Sequence, residues 1–160
     1  MKTAFPPIAD ARSRILVLGT MPGEKSLELQ QYYGHPGNHF WKIMFRLFDR
    51  PFTTDYVARK ALLAEKGIAL WDVLRYCERE GSADSRIKKE TANDFAGFYR
   101  QFPQIGPVFF ASRMAQAYYM RHVGPGSGRD YFLLPSPSGA NSWKSLDEKT
   151  AEWEIIRRYL

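Results

Sequence analysis

The chain has 160 residues, 44% of them hydrophobic, enough to close one substantial core and most simply a single domain spanning residues 1–160. Its only cysteine, Cys77, excludes an internal disulfide, a four-cysteine iron–sulfur site and a multi-cysteine zinc site, and a lone free thiol suits a reducing cytoplasm. Lys and Arg number 23 against 17 Asp and Glu, and the net charge of +6 fits a polyanionic partner such as nucleic acid as well as ordinary solubility.

The stretch from Met1 to Ala11, with its Pro6-Pro7 pair, does not read as a signal peptide, and no run approaches membrane-spanning length. Ile15-Leu16-Val17-Leu18 is the first unbroken apolar run. It turns sharply into Gly19-Thr20-Met21-Pro22-Gly23, as a buried strand ending in a functional loop does. From His39 to Phe48 the spacing of Phe40, Ile43, Met44, Leu47 and Phe48 predicts a helix with one apolar stripe. A second helix is expected over 54–66, closed by Gly67 at its C-terminal end. Ile68-Ala69-Leu70-Trp71 is the next strand, and Cys77, beside Tyr76 and Glu78, is expected within a helix. Gly81–Ser85 reads as a loop, followed by a basic run at Arg86, Lys88 and Lys89. A strand at 108–111, a helix at 112–123, a Gly-rich loop at 124–128 and a strand at 131–134 come next. The last strand runs into Pro135-Ser136-Pro137-Ser138-Gly139-Ala140-Asn141. A final helix, 145–159, opens with the capping-box spacing Ser145 to Glu148 and turns Leu146, Trp153, Ile156 and Leu160 inward.

Strands that are apolar throughout and alternate with helices predict an α/β fold, a three-layer α/β/α sandwich with a central four-stranded, mainly parallel sheet. Right-handed crossovers bring the strand-end loops to one edge, where open sheets bind ligands. The Gly124–Gly128 segment precedes a strand instead of following one, so it fails the dinucleotide pattern, and no phosphate-binding GxxxxGK[ST] loop occurs. No GxSxG elbow supports a serine nucleophile.

The densest polar and aromatic cluster is Tyr32-Tyr33-Gly34-His35-Pro36-Gly37-Asn38-His39-Phe40-Trp41. His35 and His39 have the spacing of a helical metal pair, but Pro36 and Gly37 break the helix that spacing requires, so no metal is expected. Asn38 falls at the helix N-cap or one residue before it, where its side chain has a purely structural use. Asp72 follows a strand, where an Asp commonly caps the next helix.

Taken in order, Leu18–Gly23, Tyr32–Trp41, Leu70-Trp71-Asp72-Val73, Gly81–Ser85 and Pro135–Asn141 resemble the motifs of the uracil-DNA glycosylase superfamily, most closely its hypoxanthine-DNA glycosylase branch. The resemblance covers nearly the whole chain. It implies a monofunctional hydrolase, without cofactor, that cleaves the N-glycosidic bond of a deaminated base in DNA, hypoxanthine first and uracil or xanthine as further substrates. It implies a monomer acting on DNA in base-excision repair, with no membrane partner. Uracil- and mismatch-specific members carry Asn or Asp in the first loop to hold the attacking water; Met21 stands there, and the essential amide of the hypoxanthine branch maps onto Asn38. Tyr33 matches the ring that stacks on the base, with core packing against Phe40 and Trp41 as the alternative. Thr20, Met21, Asp72 and Ser112 are the further base-binding candidates. The branch carries Asn-Gly where this chain has Ala111-Ser112. Pro22, Gly23, His35, Ser136, Ser138, Gly139, Ala140, Asn141 and Lys144 are the expected DNA contacts. Ala140 occupies the position of the wedge that fills the gap left by a flipped base; it is small, so Asn141 or Lys144 is expected to share that task. The competing reading is a catalytically silent nucleic-acid-binding module on the same fold.

Overall fold

The computed structural model describes residues 1–126 and 128–160; within the expected loop 124–128, Ser127 lies outside the described residues. In chain order the elements are β1 (Lys2–Thr3), β2 (Ile15–Gly19), α1 (Glu24–Leu29), α2 (Phe40–Leu47), α3 (Tyr56–Lys66), β3 (Ile68–Asp72), β4 (Leu74–Glu78), β5 (Lys88–Ala92), α4 (Phe95–Gln101), β6 (Val108–Phe110), α5 (Arg113–His122), β7 (Tyr131–Leu133) and α6 (Leu146–Trp153). Short 3-10 segments lie at Asp84–Arg86 and, continuing α6, at Glu154–Tyr159.

Four strands form one sheet in the order β3-β2-β6-β7, parallel throughout, with Val17 opposite Leu70 on one side and Phe109 on the other. The alternation of side chains along each strand divides the core in two. Ile15, Val17, Ile68, Leu70 and Phe109 face one side, where Phe40, Met44, Leu62, Leu63, Trp153 and Ile156 of α2, α3, α6 and the segment after it cover them. Leu16, Leu18, Ala69, Val108 and Phe110 face the other, against Phe95 and Phe98 of α4 and Ala115, Tyr118 and Tyr119 of α5. Both faces of β2, β3 and β6 are therefore dry, which explains why these strands contain no polar alternation, while the edge strand β7 is only partly covered. The expected sandwich is the fold.

The helix ends obey their expected chemistry. Gly67 adopts φ +73° and its N–H donates to the carbonyls of Leu63 and Ala64, closing α3 with a backbone conformation that an L side chain strains. Ser145 and Glu148 form the reciprocal capping box of α6.

A second sheet is absent from the sequence reading. β1, β4 and β5 pair antiparallel in the order β1-β4-β5. Cys77 is thus not in a helix; it lies on β4, buried against the α4/α5 side of the core. The chain bends at Val73, whose N–H donates to the Gly19 carbonyl, and Asn93 Nδ2 braces the bend by donating to the carbonyls of Asp72 and Leu74. Because a strand comes next, Asp72 caps no helix. Helices α1 and α4 were also not expected from the sequence.

Candidate active site

The carboxyl ends of the parallel strands open onto a cavity of about 680 Å³, within the range of about 300–1,000 Å³ usual for sites that enclose a small organic group. Its wall is built from Gly19–Gly23, Tyr32, Tyr33, His35, Asn38, Asp72, Ser82–Asp84, Ala111, Ser112 and Ser136–Asn141. The two Gly- and Pro-containing loops therefore face one another across the same space as Asn38.

Backbone contact locks the loop around Asn38 to the second loop. The His39 N–H donates to the Pro137 carbonyl at 2.7 Å, and a Cβ on Gly139 would lie 2.8 Å from the Gly37 carbonyl oxygen, so no larger residue fits there. Lys149, on α6 and 0% exposed, sends its ammonium to the Ser138 carbonyl at 3.2 Å and to His39 Nδ1 at 3.1 Å. Burial, followed by the Lys149 charge, pushes the His39 imidazole below its ordinary value, so a neutral ring is present to accept that ammonium. From behind, buried Trp153 donates its indole N–H to the Pro135 carbonyl at 2.9 Å.

Asn38 does two things at once. Its Oδ1 accepts the Phe40 N–H at 2.8 Å, one residue ahead of the N-cap position held by His39, while the residue lines the cavity. The capping bond fixes the amide and uses one of two lone pairs on Oδ1, leaving the second and both Nδ2 donors available. His35 stabilises the preceding turn: its Nδ1 accepts the Gly37 N–H at 2.9 Å. With His39 turned to Lys149, the two histidines form no ligand pair, and among the described residues no group of three or more His, Cys, Asp or Glu side chains is placed to hold a metal ion.

Across the cavity, Tyr33 and Asp72 carry the least satisfied polar atoms. Tyr33 adopts φ +51°, a strained conformation for an aromatic residue, and its ring stacks on Phe40 at 4.3 Å between centroids. The ring therefore packs on the core, as the alternative reading of Tyr33 expected, and the residue also lines the cavity. Its hydroxyl and Asp72 Oδ2 are buried without a hydrogen-bond partner. Asp72 is 4% exposed, and burial, then the nearby Asp84 charge, push its carboxyl up to about 7, with Arg79 opposing. Gly19 makes this arrangement possible: a Cβ there would lie 2.5 Å from Asp72 Oδ1 and 2.9 Å from the Tyr33 hydroxyl.

Thr20 and Ser112 share a hydroxyl–hydroxyl bond of 3.1 Å, and Ser112 also caps α5 by accepting the Ala115 N–H. Met21 and Pro22 are buried in the wall. The Pro22 carbonyl accepts a hydrogen bond from the buried Arg79 guanidinium, which also donates to the Gly81 carbonyl at 3.1 Å and lies 3.6 Å from Asp84. Ser82 Oγ accepts the Glu24 N–H beside Gly23. The small antiparallel sheet thus carries Ser82 and Asp84 into the site. Asp84 and Arg79 were missed as site residues, although Gly81–Ser85 carries part of the family resemblance; only the pairing of β4 with β5 shows that it reaches the cavity.

The second loop is a chain of small turns. Ser136 Oγ accepts the Ser138 N–H, Ser138 Oγ accepts the Ala140 N–H, and Asn141 Nδ2 donates to the Ser136 carbonyl at 3.0 Å. Lys144 is the one expected contact outside the cavity wall; it pairs with Glu152 on α6.

Gly19→Ala is expected to lose about 1–3 kcal/mol of stability by overpacking, measured by urea unfolding. Adding Asp72→Ala should recover part of it, the approach to the Tyr33 hydroxyl remaining. A double variant as unstable as Gly19→Ala would show that Asp72 does not press on this glycine.

Known proteins are similar to this chain in sequence and in fold. The family model of the Uracil DNA glycosylase superfamily matches residues 6–159. The chain is 36% identical over 160 residues to a Hypoxanthine DNA glycosylase of Methanosarcina acetivorans, covering 99% of each. It is 35% identical over 159 residues to one of Methanosarcina barkeri, covering 98% of this chain and 99% of the relative. The solution NMR structure of a uracil DNA glycosylase candidate from Methanosarcina acetivorans superposes with a TM-score of 0.83 at 37% identity, covering 98% of this chain and 96% of that one. A match of this length, on a fold whose strand-end loops enclose one cavity, identifies the chain as a member of the uracil DNA glycosylase superfamily.

Proposed function

We propose that the protein is a monofunctional DNA glycosylase that hydrolyses the N-glycosidic bond of deaminated bases, hypoxanthine foremost and uracil or xanthine in addition. One observation carries this reading: the cavity gathers a fixed amide, Asn38, and an unpartnered buried carboxyl, Asp72, between the two strand-end loops. The names of the two Methanosarcina relatives support hypoxanthine as the base. Among the described residues no helix is long and apolar enough to cross a membrane. In this reading the protein is a monomer working in the cytoplasm, where a lone thiol such as Cys77 stays reduced.

The bond lies inside the duplex, so the nucleotide must swing out into the cavity. Cleavage breaks C1′–N: the base leaves with the bonding pair, positive charge grows on the sugar, and water adds to C1′. The leaving group therefore needs hydrogen-bond donors aimed at its developing negative charge. Asn38 supplies one through Nδ2, held by the capping bond of Oδ1 to Phe40, and acts by position without changing protonation. Met21 places a thioether in the wall where water-holding members have an amide or acid, which leaves the free lone pair of Asn38 Oδ1 to orient the water.

Asp72 reads the base. Deamination replaces an exocyclic amine with a carbonyl, and the O–H of a neutral carboxyl donates to that carbonyl, a hydrogen bond that an exocyclic amine in the same place does not accept. Burial keeps Asp72 protonated up to about pH 7, so Oδ2 can act as that donor. Tyr33 lines the slot beside it, with one ring face supported by Phe40. The hydroxyls of Thr20 and Ser112 complete the polar wall, and His35, Pro22, Gly23 and the Ser136–Asn141 loop meet the backbone of the strand.

The direct test is a duplex oligonucleotide with one deoxyinosine, incubated with the protein and then with alkali, which breaks the strand at an abasic site. A break at the inosine is expected. Intact strands with both inosine and uracil substrates, at enzyme excess, would overturn the reading.

Asn38→Ala should lower excision by about 10²–10³-fold. Asn38→Asp keeps the acceptor for the Phe40 N–H but exchanges the Nδ2 donor for an acceptor, and it should fall as far while remaining as stable as the parent in a thermal melt. An active Asn38→Asp enzyme would assign the side chain to capping and water alone.

The pH profile gives a second check. Above about pH 7 Asp72 ionises, the donor is lost and its charge opposes that of the departing base, so kcat/KM should fall as pH rises through that value. In Asp72→Asn the amide does not titrate and the alkaline fall should flatten. The same fall in both enzymes would remove Asp72 from the base-reading role.

A further inference from the structure

Of the four tryptophans, Trp41, Trp71 and Trp153 are buried, and each donates its indole N–H to a backbone carbonyl, of Tyr32, Phe5 and Pro135 respectively. Trp143 is 92% exposed, and among the described residues it makes no side-chain hydrogen bond, aromatic stack or cation–π contact. It stands between Asn141, the last residue of the cavity wall, and Ser145, the cap of α6. Two peptide units separate its Cα from that of Asn141, at most about 7.6 Å, so this exposed residue follows directly on the loop that walls the cavity. Its support is firm on both sides: the Ser136–Asn141 turns and Lys149 hold the preceding loop, and the capping box fixes the start of α6.

A nucleotide that leaves the stack opens a gap that must be filled if it is to stay out. Ala140 offers one methyl group, the Asn141 amide is tied to the Ser136 carbonyl, and Lys144 is held by Glu152. None of the three side chains expected to fill the gap is free and large enough. An exposed indole on a braced loop has the size and flat face for it, because apolar side chains wedge between base steps and aromatic rings stack on any base. We propose that Trp143 enters duplex DNA at the step vacated by the extruded nucleotide and stacks on the neighbouring bases. This rests on the glycosylase reading and adds to it the residue that holds the duplex open.

The test compares inosine excision from duplex and from single-stranded oligonucleotides of the same sequence. Only the duplex closes over an empty step, so Trp143→Ala should reduce the duplex-to-single-strand ratio of kcat/KM by about tenfold or more, and Trp143→Phe should restore part of it. With the other three indoles buried, acrylamide quenching reports on Trp143. A duplex carrying one tetrahydrofuran abasic analogue should shield it, and Trp143→Phe should remove the quenchable emission. An active parent whose ratio changes by less than about twofold in Trp143→Ala, or whose indole stays equally quenchable with DNA bound, overturns the role of Trp143 alone. A parent inactive on both strand forms overturns this role together with the glycosylase reading.

Discussion

The site depends on the close approach of two backbones, at Gly37 and Gly139, with a buried ammonium holding them together. Lys149 comes from α6, and its charge is satisfied by the Ser138 carbonyl and a neutral His39 ring. A buried lysine is unfavourable unless its donors are met, and here those partners belong to the two loops that must stay in register. The same contact fixes the start of α2, hence the amide of Asn38. Through Trp153 and the paired faces of α2 and α6, the positioning of the loops is continuous with the core beneath the sheet. In the proposed reaction this rigidity matters, because an amide that does not change protonation can contribute only by where it is held.

The other half of the site is held less comfortably. Tyr33 sits in a left-handed conformation, and its hydroxyl and one oxygen of Asp72 lie buried without partners. A carboxyl whose folded value is raised binds its proton more tightly in the native state. Asp72 therefore reduces stability progressively as pH rises from about 4, where unfolded Asp titrates, to about 7. Strain and unmet polar groups of this kind persist where a ligand completes them. The two sides of the cavity thus have different characters, one satisfied and rigid, the other with polar atoms left unpaired.

The parallel sheet is legible in the sequence because its strands are dry on both faces, so Ile15–Leu18 and Ile68–Trp71 stand out as unbroken apolar runs ending in Gly, Thr and Asp. Asn38 and the 136–141 loop are legible for a similar local reason, since turn chemistry and helix starts depend on near neighbours. The antiparallel sheet is not. β5 is the polar run Lys88–Ala92, and β4 pairs with it through register shifts, so neither shows a clean period, and Cys77 reads as helical. Their positions are set by partners far along the chain. Asp84 and Arg79 stay hidden for that reason, as does Lys149, whose burial depends on loops more than ten residues before it. Trp143 reads as one more aromatic until the burial of the other three tryptophans singles it out.

The most direct measurement is a crystal structure with duplex DNA containing 2′-fluoro-2′-deoxyinosine, whose fluorine resists the positive charge that cleavage requires. The hypoxanthine should lie outside the duplex within the cavity, with Asn38 Nδ2 and Asp72 Oδ2 both at hydrogen-bonding distance of it. A base still stacked in the duplex, or one extruded elsewhere on the surface with Asn38 and Asp72 untouched, would contradict the proposed site.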